Sequence, residues 1–342
     1  MNARDISEMP PAAPDLAAGD AERAAEREVA ARAAAKKATA KAEWASRPER
    51  SNMLALRTIT WVALKLGRGA ARALLVPICL YYMAFAPKVH AASKEFLTRA
   101  LGRAPGFRDY YRHLFTFAAT LLDRVFLLNN QFSRFQVTVY GEELVQDLVK
   151  KGEGCFLLGS HLGSFEIIRT LGRQAAGLNV SLVMYEENAK KVNAILDAIN
   201  PDLAVGVIGL GKPDSMMKVQ EALERGEFVG MLGDRNFADE GTVPCRFFGA
   251  TTHCPPGPFR MAALLRRPLV LMFGLYCGGN RYEVHFEQLA DLSQVPHGQR
   301  SKAIEQSLQN YVERMEHYCR LAPYNWFNFY GFWDQDLAKS KK

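Results

Sequence analysis

The sequence predicts an α/β protein: a central mixed sheet flanked by helices, preceded by a helical, membrane-associated segment. Three observations predict it. From about residue 135, short apolar runs alternate with helical stretches, the signature of a layered α/β fold. The chain has 342 residues, 49% of them hydrophobic, enough for one large core or two ordinary ones, which excludes a wholly disordered or fibrous protein. The net charge of +7 is also unevenly spread. Residues 1–50 hold nine basic and nine acidic side chains, residues 51–112 hold ten basic ones against Glu95 and Asp109, and residues 113–342 hold 24 against 25. A basic excess confined to one stretch implies a partner for that stretch.

Residues 1–43 read as a solvated or disordered tail. Half of Ala21 to Ala42 is alanine and its one larger aliphatic is Val29, so a helix there has no stripe to bury. Residues 44–130 read as a basic and aromatic helical segment. Lys65, Arg68 and Arg72 recur at spacings of three and four, which puts them on one helical face. Ala73 to Ala86 follows without a charge; at about 1.5 Å per residue it covers roughly 21 Å, short of the ~30 Å hydrocarbon core of a bilayer. Together with the cationic face and the aromatics Trp61, Tyr81 and Tyr82, this pattern suits a helix that dips into a membrane surface, although a buried helix of a soluble domain shares part of it. A second aromatic helix is expected over Phe107 to Phe126.

Residues 131–335 read as the α/β domain. Strands are expected at Gln136 to Tyr140, Cys155 to Leu158, Val180 to Met184, Ala204 to Ile208, Phe228 to Leu232, Leu269 to Phe273 and Tyr282 to Phe286. Helices are expected over 142–151, 164–176, 189–199, 214–225, 258–266 and 300–320, and 336–342 is a polar basic tail. Six cysteines without a C-x-x-C pair form neither a disulfide framework nor a redox motif, and the acidic opening lacks an apolar signal region, so a reducing, cytoplasmic setting is expected.

The segment from Cys155 to Arg169 joins a strand to a helix through a turn flanked by Gly159 and Gly163. It carries His161 in the turn and Glu166 five residues later. On one continuous helix the two would stand about 140° apart; with His161 in the loop and Glu166 in the first helical turn, the carboxylate can reach the imidazole. Such a pair suits acyl transfer to a hydroxyl: His161 takes the proton, Glu166 orients the ring, and amides near Ser164 and Phe165 face the oxyanion. Asp234 and Arg235 follow an apolar strand, where sheets bind ligands, and are expected to bind substrate; Arg169 is a weaker candidate for the same role. The run Tyr324 to Trp333 holds seven aromatics in ten residues and suits an acyl groove, a bilayer surface or plain packing.

Ser160-His161-Leu-Gly-Ser-Phe-Glu166 resembles the H-x-x-x-x-(D/E) block of the lysophospholipid acyltransferase superfamily, and more narrowly the late (lauroyl and myristoyl) acyltransferases of lipid A biosynthesis. Other blocks resemble that family in the same order: Trp44 with Arg47 to Ser51, Met231 to Arg235, Phe247 to Gly257, and Tyr324 to Tyr330. The resemblance implies a glycerolipid acyltransferase-like fold, an acyl-carrier-protein thioester (or acyl coenzyme A) as donor, and a hydroxyl of a lipid A-like or other lipid acceptor. It further implies His161 and Glu166 as the dyad, no metal, no bound cofactor, and a peripheral or monotopic place on the cytoplasmic face of the bacterial inner membrane. One departure stands out: many members carry an arginine just after the strand that follows the catalytic helix, and this chain has Met184-Tyr-Glu-Glu187 there. An arginine suits phosphate, so a phosphorylated disaccharide acceptor loses support and another lipid, or a polyene, gains it.

Other signals are weaker. Gly206 to Pro213 nearly spells a phosphate-binding loop, but Pro213 stands where a Mg²⁺-binding hydroxyl belongs. Leu158 occupies the first glycine of a serine-hydrolase elbow, and Cys245, His253 and Cys254 match no common zinc module. A non-catalytic lipid-binding or scaffold protein on the same fold is the alternative class. Nucleic acid is not an expected partner, because an aliphatic stretch follows the basic run.

Overall fold

The computed structural model divides into two units, residues 1–48 and 49–342, and describes residues 53–175, 179–185, 188, 199, 206–212, 214–235 and 241–333. The tail over 1–43, the block from Trp44 to Ser51, nearly all of the helix expected over 189–199, Glu186, Glu187, Pro213 and the tail over 336–342 lie outside the described residues.

Three helices open the described chain: α1 (Met53–Phe85), α2 (Pro87–Leu101) and α3 (Phe107–Leu128). Then come β1 (Gln136–Tyr140), α4 (Glu142–Lys151), β2 (Phe156–Gly159), α5 (Phe165–Ala175), β3 (Val180–Tyr185), β4 (Val207–Leu210), α6 (Ser215–Glu224) and β5 (Phe228–Leu232). A hairpin, β6 (Val243–Phe247) with β7 (Ala250–Cys254), precedes α7 (Gly257–Leu265), β8 (Pro268–Tyr276), β9 (Arg281–Asp291) and α8 (Arg300–Leu321). Seven strands form one mixed sheet in the order β1-β9-β8-β2-β5-β3-β4. All neighbours are parallel except β8 and β9.

The central strand β2 is buried at every residue, as a parallel strand covered on both faces must be. Period-two alternation sends Phe156 and Leu158 to one face, where they join Val229, Met231, Phe259 of α7 and Tyr311 and Val312 of α8. Leu157 and Phe228 point to the other, against Leu122 and Phe126 of α3 and Ile167 and Ile168 of α5. The N-terminal helices therefore share a core with the sheet.

The basic stripe expected along α1 is not a lipid-facing stripe. Gly67, with φ of 86° and ψ of 171°, breaks the helix between Lys65 and Arg68; that left-handed φ suits a residue without a Cβ. Beyond the break Arg68 turns inward, donating from Nε and Nη2 to both oxygens of the buried Asp123 at 2.7 and 2.8 Å. Tyr282 of β9 donates its hydroxyl to the same carboxylate at 2.8 Å. Arg72 lies over the rings of Phe115 and Tyr276, and Lys65 stays exposed. Beyond the break, α1 presents apolar side chains outward, Leu74, Ile78, Leu80, Tyr81 and Phe85; before it, Trp61 and Leu66 are exposed beside Arg57 and Lys65.

Asp123 thus ties α1, α3 and β9 through one carboxylate. Removing one member of a buried ion pair strands the other charge, at a cost of roughly 3–5 kcal/mol, whereas replacing both by apolar groups is far cheaper. Asp123→Leu is expected to lose stability on that scale, and Arg68→Met with Asp123→Leu to lose much less. Denaturant unfolding of the four members of the cycle measures it, and single losses that simply add in the double variant would exclude the coupling.

Candidate active site

The site forms where β2 and β5 leave the sheet. These strands are parallel neighbours with Gly159 opposite Leu232, so the two chains emerge side by side, and the amide of Gly233 donates to Gly159 O at 2.9 Å. Two residues beyond each end stand His161 and Asp234. Strand pairing alone brings together side chains 73 residues apart.

The turn after β2 is held from two sides. Gly163 bridges Gly274 of β8, and Leu162 bridges Trp326. The amide of Gly163 donates to Asn325 O at 2.8 Å, that of Ser164 to Gly274 O at 2.7 Å, and that of Phe327 to His161 O at 2.7 Å. Gly163 has φ of 74°, and a Cβ there would collide with Gly274 O, so this glycine is required twice over. The Ser164 amide, expected to face an oxyanion, is committed to the sheet instead.

His161 is oriented by Asp234, not by Glu166. Its Nδ1 lies 2.9 Å from Asp234 Oδ1, and its own amide donates to Oδ2 at 3.0 Å. Trp326, fully buried, donates its indole N–H to the same Oδ2 at 3.2 Å. The carboxylate is buried, and three donors satisfy it. Burial alone would raise the pKa of Asp234; the charge and hydrogen bonds of His161, with Arg235 beside it, hold it below the ordinary value. An ionised carboxylate only accepts, so Nδ1 carries the proton and Nε2 is left as a bare acceptor. The His161 side chain is 26% exposed, and Nε2 has no hydrogen bond among the described residues. Burial, reinforced by Arg235 and Arg124, depresses the imidazole pKa against the opposing pull of Asp234. A neutral ring with its open nitrogen outward is the form a general base needs.

Glu166 and Arg169 pair with each other. They are separated by three residues in α5, share one helix face, and are both buried. Arg169 Nε donates to Glu166 Oε1 at 2.8 Å, and Nη2 reaches the same oxygen. The expected bond from Glu166 to His161 is replaced by this pair, and Arg169, expected at the substrate, is only 3% exposed. Arg235 stays at the site: Nη2 donates to Phe327 O at 3.1 Å, and its Cζ lies 5.6 Å from the ring centre of Tyr330. Trp326 was hidden from sequence reasoning within an aromatic run; the run itself was its signal. Cys155 is buried and its thiol is pushed up by burial, which keeps it protonated. Cys245, His253 and Cys254 lie on the β6–β7 hairpin, and among the described residues no three ligating side chains form a metal cluster.

An oriented imidazole with an open Nε2 has the arrangement of a general base. The model of the bacterial lipid A biosynthesis acyltransferase family matches residues 114–334, and the chain belongs to that family. It is therefore an acyltransferase and not a non-catalytic scaffold. Among solved structures it is similar to the 1-acyl-sn-glycerophosphate acyltransferase PlsC from Thermotoga maritima at 15% identity, over 71% of this chain and 95% of that one, with a TM-score of 0.34. No curated protein matches it.

Two predictions follow from the geometry. Asp234→Asn, which leaves the ring in the wrong tautomer, is expected to lower kcat by roughly 10²–10⁴ without unfolding the chain, while Glu166→Gln shows first as lost thermal stability because Arg169 is left unpaired. Equal losses of kcat at intact fold would give Glu166 the role placed here on Asp234. The acidic limb of kcat/KM, which reports the free enzyme, is expected below the ordinary imidazole value of 6.5, since protonation of His161 is disfavoured; a limb above it would contradict the neutral-base assignment.

Proposed function

We propose that the protein transfers a fatty acyl group from an acyl-carrier-protein thioester to a hydroxyl of a lipid acceptor at the cytoplasmic face of the bacterial inner membrane. The observation that carries this reading is the open Nε2 of His161 with Nδ1 fixed on Asp234. The acceptor hydroxyl gives its proton to Nε2 as its oxygen adds to the thioester carbon. The tetrahedral intermediate then collapses, the thiolate leaves, and the imidazolium returns the proton to sulfur. Asp234 holds the ring throughout and stabilises its charged form. No enzyme nucleophile or bound cofactor takes part.

Membrane attachment is supported by the exposed apolar side chains of α1, among them Leu74, Ile78, Tyr81 and Phe85 at spacings of three and four beyond the break at Gly67. Among the described residues no single helix is long and apolar enough to cross a bilayer; Arg57–Phe85 with Pro87–Leu101 qualifies only as a pair bent by 95°. A monotopic helix lying in the interface fits both facts. The acceptor is a lipid A-like molecule or another lipid. Met184 and Tyr185 close β3 without an arginine for a phosphate, which favours an acceptor recognised without one.

Mass spectrometry of total lipids and pigments from cells with the wild-type chain, with His161→Ala and with neither tests this reading. The expected result is an acyl ester found in wild type alone, with the variant still sedimenting with anionic vesicles. An unchanged ester in the His161→Ala cells would exclude His161 as the base.

A further inference from the structure

We propose that Arg235 is a catalytic residue of this site, its guanidinium donating to the carbonyl oxygen that becomes anionic as the acceptor hydroxyl adds to the thioester. The assignment rests on the acyl-transfer reading above and concerns the one part of that chemistry still without a donor. A tetrahedral intermediate needs hydrogen-bond donors where its charge develops, and the loop that carries the base has few to offer. The amide of His161 is on Asp234, that of Gly163 on Asn325, and that of Ser164 on Gly274.

Arg235 is the cation the geometry supplies instead. It follows Asp234 directly, and a single residue ties it to the base: Phe327 donates its amide to His161 O at 2.7 Å and accepts from Arg235 Nη2 at 3.1 Å. The Tyr330 ring lies against the guanidinium, an aromatic face that holds its plane at the cost of one side only. Among the described residues, Nε is buried without a partner and Nη1 makes no hydrogen bond. Nε is too buried to meet a substrate oxygen, so the donor offered to an oxyanion is the terminal Nη1. In the step proposed, the new C–O bond forms as the carbonyl π pair moves to oxygen, the hydroxyl proton goes to His161 Nε2, and Arg235 stabilises the oxygen until the C–S bond breaks.

The test uses the full chain in mixed vesicles, with lauroyl–acyl carrier protein as donor and a total lipid extract of the parent bacterium as acceptor. Arg235→Gln is expected to lower kcat by about 10²–10³ with KM for the donor changed by no more than a few-fold. It is also expected to move the acidic limb of the pH profile upward, because one positive charge leaves the vicinity of His161 while Asp234 and Arg124 remain. Arg235→Lys, which keeps the charge, guards against a folding defect and is expected to lose less. Added guanidinium is expected to restore part of the rate to Arg235→Ala, as it would not for a side chain that only packs. Wild-type kcat in Arg235→Gln, or a loss with lowered thermal stability and no rescue, would overturn the assignment while leaving acyl transfer intact. A wild-type chain that transfers no more acyl group than His161→Ala overturns the parent reading and this one together.

Discussion

The site depends on one buried carboxylate. Asp234 lies at the carboxyl end of the sheet, where its charge is costly unless it is fully bonded, and the surrounding structure meets that demand from three directions. The imidazole and amide of His161 come from the turn after β2, and the indole N–H comes from Trp326 in the C-terminal aromatic segment. Each donor is itself held in place: the turn by Gly163 and Gly274, the indole by its burial among Phe96, Phe247 and Phe332. Orientation of the base is thus a property of the whole junction between strands and C-terminal segment, since loosening any one donor leaves a buried charge short of a partner.

Much of this was legible in the sequence, and the illegible part has a physical pattern. β1, β5 and α4 fall where apolar alternation and capping glycines place them, because Val and Phe runs bounded by Gly141, Gly152 and Gly226 leave few other readings. The β6–β7 hairpin was not read as strands: Pro244, Arg246, Thr251 and His253 interrupt its apolar positions. His161 was singled out by the block it shares with the resembled family, since the local spacing alone is a weak signal. Its partner was not legible. Which strand lies beside β2 is decided by the packing of helices on both faces, and a local spacing rule offers the nearest carboxylate, Glu166, in place of the one strand order delivers.

Charge along the N-terminal segment teaches the same lesson. A net of +8 over 62 residues is a fact of composition; whether it faces lipid depends on where the helix turns. Gly67 rotates the second half of α1 so that Arg68 and Arg72 meet Asp123 and aromatic rings of the protein. The side chains left outside are aliphatic and aromatic. On the membrane-associated reading proposed above, attachment then rests more on apolar insertion than on surface charge, with Lys65, Lys94 and Arg108 as exposed basic residues near it.

The H-x-x-x-x-E spacing keeps a meaning even though the glutamate does not touch the base. Glu166 sits in the first turn of α5, and its pair with Arg169 is buried. A buried ion pair contributes little net stability against an apolar substitute, but it is intolerant of half-removal; both partners lie on α5, so each neutralises the other's charge where that helix is buried. The same helix seats Ile167 and Ile168 against the sheet face shared with Leu157 and Val270. The carboxylate five residues after the histidine therefore serves the helix that carries it, while the one bonded to the imidazole comes from the end of the neighbouring strand.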